Sequence, residues 1–242
     1  MRRPVARYDA VMRRRCLAIL GVVLLTPCQT TDGPYARIAI LHPRDGQTID
    51  FEAGYIRHLT WHQQAGDKWV WYGWTVTFGE RQRWFVYATF GHSAASFDSP
   101  VPPADDERDN VLNVTPHVDS WANALYEYLP RLSRGTGTPR PAPRVELTTV
   151  TPTPGATKAF EAALASEQSQ LKDETLWYRL IAGSETPGYL RLRPRASLSD
   201  VIDGWADQAL SDNVSHLTAK TTVEILTLRP AMSLGVTPSS RD

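Results

Sequence analysis

The chain has 242 residues, of which 42% are hydrophobic and 21% are charged. This is the balance of an ordinary globular protein, so the composition excludes a disordered or fibrous chain. The length suits one large domain or two small ones. Its 26 Lys and Arg residues match its 26 Asp and Glu residues, but these charges are unevenly distributed along the sequence.

The first 28 residues have the pattern of an export signal. Arginines precede the apolar run from Cys16 to Leu25, and a polar stretch follows it. The run is short, because a helix needs about 20 apolar residues to span a bilayer. We therefore predict a signal peptide over residues 1–28 rather than a membrane-spanning helix. Met12 is an alternative start, since the segment that begins there is a more compact signal.

The segment that ends at Cys28 resembles a bacterial lipobox, with Leu25 three residues before the cysteine. We predict Cys28 as the lipidation site. Plain release into the periplasm is the alternative, because Pro27 replaces the usual small residue. Either way the sequence predicts an exported bacterial protein, periplasmic or an outer-membrane lipoprotein, that reaches a membrane only through a lipid anchor. Residues 29–34 are then a short tether.

Removal of residues 1–28 changes the charge of the protein. It leaves 20 basic and 25 acidic residues, and hence a net charge of −5. A mildly acidic protein is a poor match for nucleic acid, so no nucleic-acid partner is predicted. Cys16 leaves with the signal, so a chain processed at Cys28 has neither an internal disulfide nor a cysteine nucleophile.

The mature chain divides into two halves of similar size. Residues 131–143 are rich in Gly, Pro and Arg, and we predict that they link a first unit, 35–130, to a second unit, 144–230. Residues 231–242 are predicted to be a flexible tail.

Both halves show the order β-α-β-β-α-β of a ferredoxin-like unit. Gly46 precedes Phe51 by five residues, and Gly155 precedes Phe160 by five, which indicates the same turn and helix in each half. The second helix is regular only in the second half. In the first half the prolines of "SPVPPADDERDN", residues 99–110, argue against a regular helix there, so that segment is expected to be helical only in part or irregular.

The second strand of the first half, "KWVWYGWTVTF", is apolar on both faces. In one ferredoxin-like unit the helices cover only one face of the sheet, so the other face also needs cover. We therefore predict an α+β fold in which two ferredoxin-like repeats pack sheet to sheet as an intramolecular α+β barrel.

Three segments carry a family resemblance: "FEAGYIRHLTWH", "WYGWTVTFGER" and "ATFGHSAASFD". The fused halves resemble the dimeric α+β barrel superfamily, and these segments are similar to NIPSNAP-like or antibiotic-monooxygenase-like members. The resemblance covers Tyr35 to Pro230 and implies an internal pseudo-dimer, as a monomer or a higher oligomer. It also implies a small-molecule pocket and, for an enzyme, the chemistry of a cofactor-independent monooxygenase.

His58 and His62 lie four residues apart on the first predicted helix, a spacing that can bring two imidazoles to one metal ion. No H-E-x-x-H motif is present, and no third ligand is apparent nearby. Phe51, Tyr55 and Leu59 recur at the same helical spacing. We therefore interpret both histidines as packing residues and predict no metal site.

His92 follows the third predicted strand directly, where the mouth of the barrel is expected. The resemblance implies that a histidine near this point approaches the pocket, so His92 is the predicted catalytic acid or base. The structural alternative is a histidine that caps the following turn.

The predicted ligand-binding residues between the sheets are Trp71, Tyr87, Arg179, Arg191 and Arg193. If the leucines that alternate with these arginines face the helices, the guanidinium groups point into the barrel and can bind an anionic or aromatic ligand. The alternative is a face partly open to water, on which Glu146 pairs with one arginine.

The sequence has no phosphate-binding glycine loop, no G-x-S-x-G elbow and no paired-cysteine metal site, so no cofactor is predicted. Three functions are considered. The leading hypothesis is a protein that binds a small molecule between its two sheets. The alternatives are a monooxygenase-like enzyme and a non-catalytic structural or interaction protein of the cell envelope.

Overall fold

The computed structural model describes residues 32–98, 101–184, 186, 188–204 and 210–237. The predicted signal peptide and its Cys28 lie outside these described residues. In the part of the chain that is described, no helix is both long enough and apolar enough to cross a membrane.

The described residues form eight β-strands and six α-helices. The strands are β1 (Tyr35–Pro43), β2 (Tyr72–Phe78), β3 (Phe85–His92), β4 (Val118–Tyr128), β5 (Arg144–Pro152), β6 (Leu176–Ala182), β7 (Tyr189–Arg195) and β8 (Thr218–Leu228). The α-helices are α1 (Thr48–Gln64), α2 (Ala94–Asp98), α3 (Pro103–Asn113), α4 (Thr157–Glu167), α5 (Leu198–Asp203) and α6 (Asp212–Ser215).

The eight strands close into one antiparallel barrel in the order β1-β3-β2-β8-β5-β7-β6-β4. The α+β class and the barrel predicted from the sequence are therefore confirmed. Within the ring, β4, β1, β3 and β2 are contiguous, and so are β8, β5, β7 and β6. The two groups meet where β2 pairs with β8 and where β4 pairs with β6.

The interior of the barrel is filled with aromatic and aliphatic side chains from both groups of strands. Tyr72 stacks on Trp74 with ring centroids 5.2 Å apart, and the rings of Phe90 and Tyr178 lie 5.6 Å apart. The space between the two sheets is therefore packed core in the described part of the chain, and Trp71 and Tyr87, which were predicted to line a ligand site there, pack in a separate cluster.

Successive residues of a strand alternate between this interior and an outer face that the helices cover. In β7, Leu190 and Leu192 belong to the interior cluster, so Arg191 and Arg193 point outward. The sequence prediction placed the leucines toward the helices and the arginines inside the barrel, and it is wrong. The reason is that the dry interior accepts uncharged side chains, whereas the outer face brings the buried carboxylate of Glu146 near Arg193.

The segment predicted as a linker packs against the barrel. The hydroxyl groups of Tyr72 and Tyr178, from the two halves of the interior, donate hydrogen bonds to the carbonyl oxygens of Pro139 and Gly137, at 2.9 and 3.0 Å. Leu132 is buried as well. The connection between the halves is thus part of the folded core.

The predicted tether and tail also pack where they are described. The backbone N–H of Gly33 donates to the carbonyl oxygen of Gly91 at 3.2 Å. The backbones of Leu234 and Trp71 form an isolated antiparallel bridge. The expectation of a flexible tail is therefore wrong for the segment around Leu234.

The proline-rich segment of the first half is helical from Pro103 onward, a more regular helix than its prolines suggested. Proline suits the first turn of a helix, because the backbone N–H that it lacks has no partner there. Asp105 and Asp106 lie in the same first turn, where the helix dipole favours negative charge. Prolines that were taken as breakers therefore start α3.

The barrel interior can be tested by truncation. Leu226 of β8 is 1% exposed, so Leu226→Ala should lower the free energy of unfolding by about 2–5 kcal/mol through the cavity it leaves. Ile49→Ala, at a position that is 82% exposed, should change it by less than about 0.5 kcal/mol. Urea unfolding followed by circular dichroism measures both, and equal losses would contradict the assignment of Leu226 to the interior.

Candidate functional site

Helix α1 lays one stripe of side chains on the outer face of the first-half sheet. Tyr55 and Leu59 lie in this stripe and pack against the strands. His58 and His62 are one turn apart on the same side of the helix and are only 6% and 5% exposed. Sequence reasoning placed them correctly at the border of the core.

Three polar atoms converge where α3 crosses these histidines. The Nε2 atoms of His58 and His62 are 3.2 Å apart. Oδ1 of Asp106 lies 3.4 Å from Nε2 of His58 and 3.3 Å from Nε2 of His62. The sequence analysis found no third ligand near the histidines, because Asp106 lies 44 residues beyond His62 and only the folded chain brings the first turn of α3 to them.

A second carboxylate orients each histidine through its other ring nitrogen. Nδ1 of His58 lies 2.9 Å from Oδ1 of Asp109, and Nδ1 of His62 lies 2.8 Å from Oδ2 of Asp67. A carboxylate at Nδ1 keeps a proton on that nitrogen. The Nε2 atoms of both rings therefore face the common point beside Asp106.

The carboxylate of Asp67 is held rigidly after the end of α1. It accepts hydrogen bonds from the indole N–H of Trp71 at 2.8 Å and from the backbone N–H of Trp69 at 2.9 Å. Its side chain is buried. Sequence reasoning missed Asp67, although its position between α1 and a tryptophan-rich strand was a usable signal.

Burial and the nearby carboxylates act in opposite directions on the two histidines. Burial lowers the pKa of His62, but hydrogen bonds with Asp106 and Asp67 outweigh it and raise this pKa to about 9. Burial lowers the pKa of His58, against the hydrogen bond with Asp109. The pKa values of the two histidines therefore shift in opposite directions.

A cavity of about 30 Å³ opens beside these atoms. Trp71 and Tyr87 line it with their rings 5.7 Å apart, so the structure does bring these two predicted ligand-binding residues together. The guanidinium carbon of Arg37 lies 5.7 Å from the ring centroid of Trp71, and Nε donates to Oδ1 of Asn123 at 2.9 Å. Burial raises the pKa of Tyr87, so its phenol stays neutral.

A larger pocket of about 440 Å³ adjoins this cavity. Its apolar wall includes Trp69, Phe97 and Val111. Arg37 and Asp106 line both spaces. A ligand in the larger pocket would therefore lie next to the histidines, which places the candidate site outside the barrel and beneath α3.

The predicted catalytic residue His92 lies at the end of β3, behind Trp69. Its Nε2 is 2.6 Å from the hydroxyl oxygen of Thr89, and its ring centroid is 4.1 Å from that of Trp69. Burial lowers the pKa of His92. His92 therefore supports the wall of the pocket, and its catalytic role stays a prediction.

The three predicted arginines lie in the other half of the barrel. Arg191 and Arg193 line a separate cavity of about 460 Å³ beside α4 and Trp177. Arg179 forms surface ion pairs with Glu127 and Glu161. None of the three lines the pocket of the first half, so the predicted single site divides into two places.

The pairing with Glu146 that was considered as an alternative is present, although the residues involved are buried rather than open to water. Glu146 is 0% exposed, with Oε1 2.6 Å from Nε of Arg195 and Oε2 3.6 Å from Nη1 of Arg193. The buried carboxylate therefore pairs with arginines of the neighbouring strand.

No protein-family model matches the sequence, and no curated protein matches it significantly. Solved structures do match. An anthrone oxidase-like protein superposes with a TM-score of 0.55 and 13% identity over 82% of this chain and 92% of that chain. A candidate monooxygenase from Lactobacillus acidophilus superposes with a TM-score of 0.54 and 9% identity over 81% of this chain and 94% of that chain. Chlorite dismutase from Candidatus Nitrospira defluvii, in complex with imidazole, superposes with a TM-score of 0.51 and 8% identity over 83% of this chain and 93% of that chain.

The chain has the dimeric α+β barrel fold. The three structures described above belong to this ferredoxin-like superfamily, so the fold implied by the sequence resemblance is confirmed. At identities this low the likeness concerns the fold alone. The narrower resemblance to NIPSNAP-like or antibiotic-monooxygenase-like proteins stays a prediction.

The role of Asp67 can be tested by removing its carboxylate. Asp67→Ala should lower the free energy of unfolding by about 3–5 kcal/mol, because it leaves the partners of a buried carboxylate unpaired. Asp45→Ala, at an exposed position, should change it by less than about 0.5 kcal/mol. Urea unfolding compares the two variants, and a small loss for Asp67→Ala would show that Asp67 does not anchor the site.

The burial of His92 predicts a pH dependence of stability. Its pKa is lower in the folded protein than its ordinary value of 6.5, although Asp32 and Asp67 act against burial. The stabilising contribution of neutral His92 is therefore complete above that ordinary value and is lost as the pH falls below it. Unfolding should be measured from about pH 7 to about pH 5. His92→Gln cannot gain this proton and should lose less stability than the wild type, and identical slopes would contradict the prediction.

Proposed function

We propose that the protein binds a small aromatic anion in the pocket beneath α3 and oxidises it. One observation carries the proposal: a pocket with an aromatic wall, lined by the guanidinium group of Arg37 and the carboxylates of Asp106 and Glu107, adjoins the cluster of His58, His62 and Asp106. The leading hypothesis of a small-molecule ligand is thus kept, but its site moves from the barrel interior to the helix-covered face.

The size and lining of the pocket suit such a ligand. A volume of about 440 Å³ lies in the range of small-molecule sites, which combine apolar walls with a few polar groups. Trp69 and Phe97 meet edge to face at 5.3 Å and offer ring surfaces against which an aromatic group can pack. This wall favours an aromatic ligand.

The charge of Arg37 favours an anion. Its side-chain hydrogen bonds go to the neutral groups of Asn123 and Tyr87. None of the ion pairs between described residues includes Arg37. A carboxylate or sulfonate on the ligand can therefore pair with Arg37 at the inner end of the pocket.

The reaction class is proposed from the structural neighbours. Two of them are named as a candidate monooxygenase and an anthrone oxidase-like protein, and these names concern oxidation of small molecules. They support a monooxygenase-like enzyme over the alternative of binding without turnover. Oxygen uptake with a bound ligand separates the two functions, because a binding protein consumes none.

Two broader features also stay proposals. We propose that the halves are fused repeats, and the matching strand orders β4-β1-β3-β2 and β8-β5-β7-β6 support this. We also propose export, on the strength of the signal pattern in residues 1–28 and Cys28.

The pocket is tested with a panel of aromatic carboxylates and their neutral amides. Carboxylates that raise the melting temperature should bind Arg37→Gln about 10–100 times more weakly by calorimetry, because the variant loses a charge-assisted hydrogen bond. Trp69→Ala should weaken both members of each pair.

Arg44→Gln is the matched control, because Arg44 is exposed and forms an ion pair with Asp119 away from the pocket. Its affinity should equal that of the wild type. Equal affinity in Arg37→Gln and Arg44→Gln, or a panel without any binder, would contradict the proposed ligand class.

A further inference from the structure

The nitrogen and oxygen atoms between α1 and α3 are directed at one point. We infer that this point is the binding site of a single divalent transition-metal ion, with Nε2 of His58, Nε2 of His62 and Oδ1 of Asp106 as its protein ligands. The sequence reasoning considered the two histidines as a pair and rejected a metal because it found no third ligand.

The separations of the three atoms fit a shared ion. They are 3.2, 3.3 and 3.4 Å, which makes a nearly equilateral triangle. With metal–ligand bonds of about 2.1 Å, an ion would lie about 0.9 Å from the plane of this triangle, and the angles between its bonds would be about 104°. These angles are close to tetrahedral, so the ion could bind without rearrangement of the side chains.

The inner contacts of the cluster are longer than the outer ones. Asp106 lies 3.3 and 3.4 Å from the two imidazoles, whereas a charge-assisted hydrogen bond has a length of about 2.7–2.9 Å. The outer contacts do have that length, at 2.9 Å from His58 to Asp109 and 2.8 Å from His62 to Asp67. The inner atoms are thus spaced widely enough to share an ion, whereas the outer contacts are short hydrogen bonds.

The outer carboxylates are those that a metal site requires. A histidine ligand usually donates its second ring N–H to a carboxylate or carbonyl, which fixes its tautomer and orientation. Asp109 does this for His58 and Asp67 does it for His62. Both histidines therefore turn Nε2 toward the common point, where a metal ion would replace any proton on that nitrogen.

The donor set indicates the class of metal. Two imidazoles and one carboxylate suit Zn²⁺ or Fe²⁺, whereas Mg²⁺ and Ca²⁺ prefer oxygen ligands. The cavity of about 30 Å³ that these residues line is large enough for a water molecule at a further coordination position. This further coordination position would face a ligand in the larger pocket. Only that statement rests on the proposed function.

The inference is tested on the full-length folded protein after removal of metals with a chelator. Calorimetric titration with Zn²⁺ should give one site per chain, and Zn²⁺ should raise the melting temperature. Substitution with Co²⁺ should give the strong visible absorption of a four-coordinate ion. Mg²⁺ and Ca²⁺ should not compete with Zn²⁺.

Asp106→Asn and Asp105→Asn are a matched pair on adjacent residues of α3. Asp105 is exposed, and only Asp106 faces the histidines. Loss of an outer carboxylate weakens metal binding by about 10–100-fold. Asp106→Asn removes a ligand and should weaken Zn²⁺ binding by more than this, whereas Asp105→Asn should leave it unchanged. Asp106 is partly exposed, so this variant is expected to fold, and circular dichroism checks that it does.

The histidines and the outer carboxylates give a second series. His58→Ala should abolish the site, whereas His216→Ala, at an exposed histidine, should not change it. Asp109→Asn should weaken Zn²⁺ binding by about 10–100-fold without abolishing it. Absence of Zn²⁺ binding in the wild type, or equal binding by Asp106→Asn and Asp105→Asn, would overturn the inference.

These results are distinct from those that test the ligand pocket. Binding of an aromatic carboxylate through Arg37 in a protein that binds no Zn²⁺ would overturn the metal site and leave the proposed function intact. Zn²⁺ binding by a protein that binds no aromatic carboxylate would contradict the proposed function and leave the metal site intact.

Discussion

Closure of eight strands into a barrel removes water from the barrel interior, and the position of most polar side chains in this protein depends on that exclusion. Each strand turns one face inward, so its apolar residues fill the interior and the alternate residues point to the helices. The tryptophans, tyrosines and arginines of the sequence are thereby divided between two environments. Functional groups can collect only on the outer side, where helices bring partners for them.

The first half of the barrel has such partners, and the second half uses its charges differently. Alignment of Phe51 with Phe160 places Glu167 at the position of His58 and Leu171 at the position of His62. The cavity beside α4 is instead lined by arginines, near the buried carboxylate of Glu146. The same layers of helix and strand therefore support unlike sites in the two halves.

Much of the architecture followed from periodicity. Strands that are apolar on both faces indicated a covered sheet, and the spacing of glycine and phenylalanine showed corresponding elements in the two halves. The inward direction of Leu190 was not predictable, because a strand of alternating Leu and Arg fits either face until its charged partners are known. Only the folded chain brings Glu146 next to those arginines.

The candidate site was harder to predict than the fold, for a local reason. His58 and His62 were visible as a pair, but their partner Asp106 is 44 residues beyond His62 in a segment whose prolines suggested irregular structure. Proline at the start of a helix and proline within a helix have opposite effects, and the composition of a segment does not distinguish them. The unrecognised start of α3 thus concealed the carboxylates of Asp106 and Asp109 and part of the pocket wall.

The segment between the halves makes the covalent connection part of what stabilises the barrel. Its carbonyl oxygens accept the hydroxyl groups of Tyr72 and Tyr178, one from each half of the barrel interior. If the gene were split there into two separate chains, each tyrosine would risk losing its partner, at about 1–3 kcal/mol for every buried group left unpaired. Separation of the halves at this segment would therefore be energetically unfavourable, because the connection itself belongs to the core.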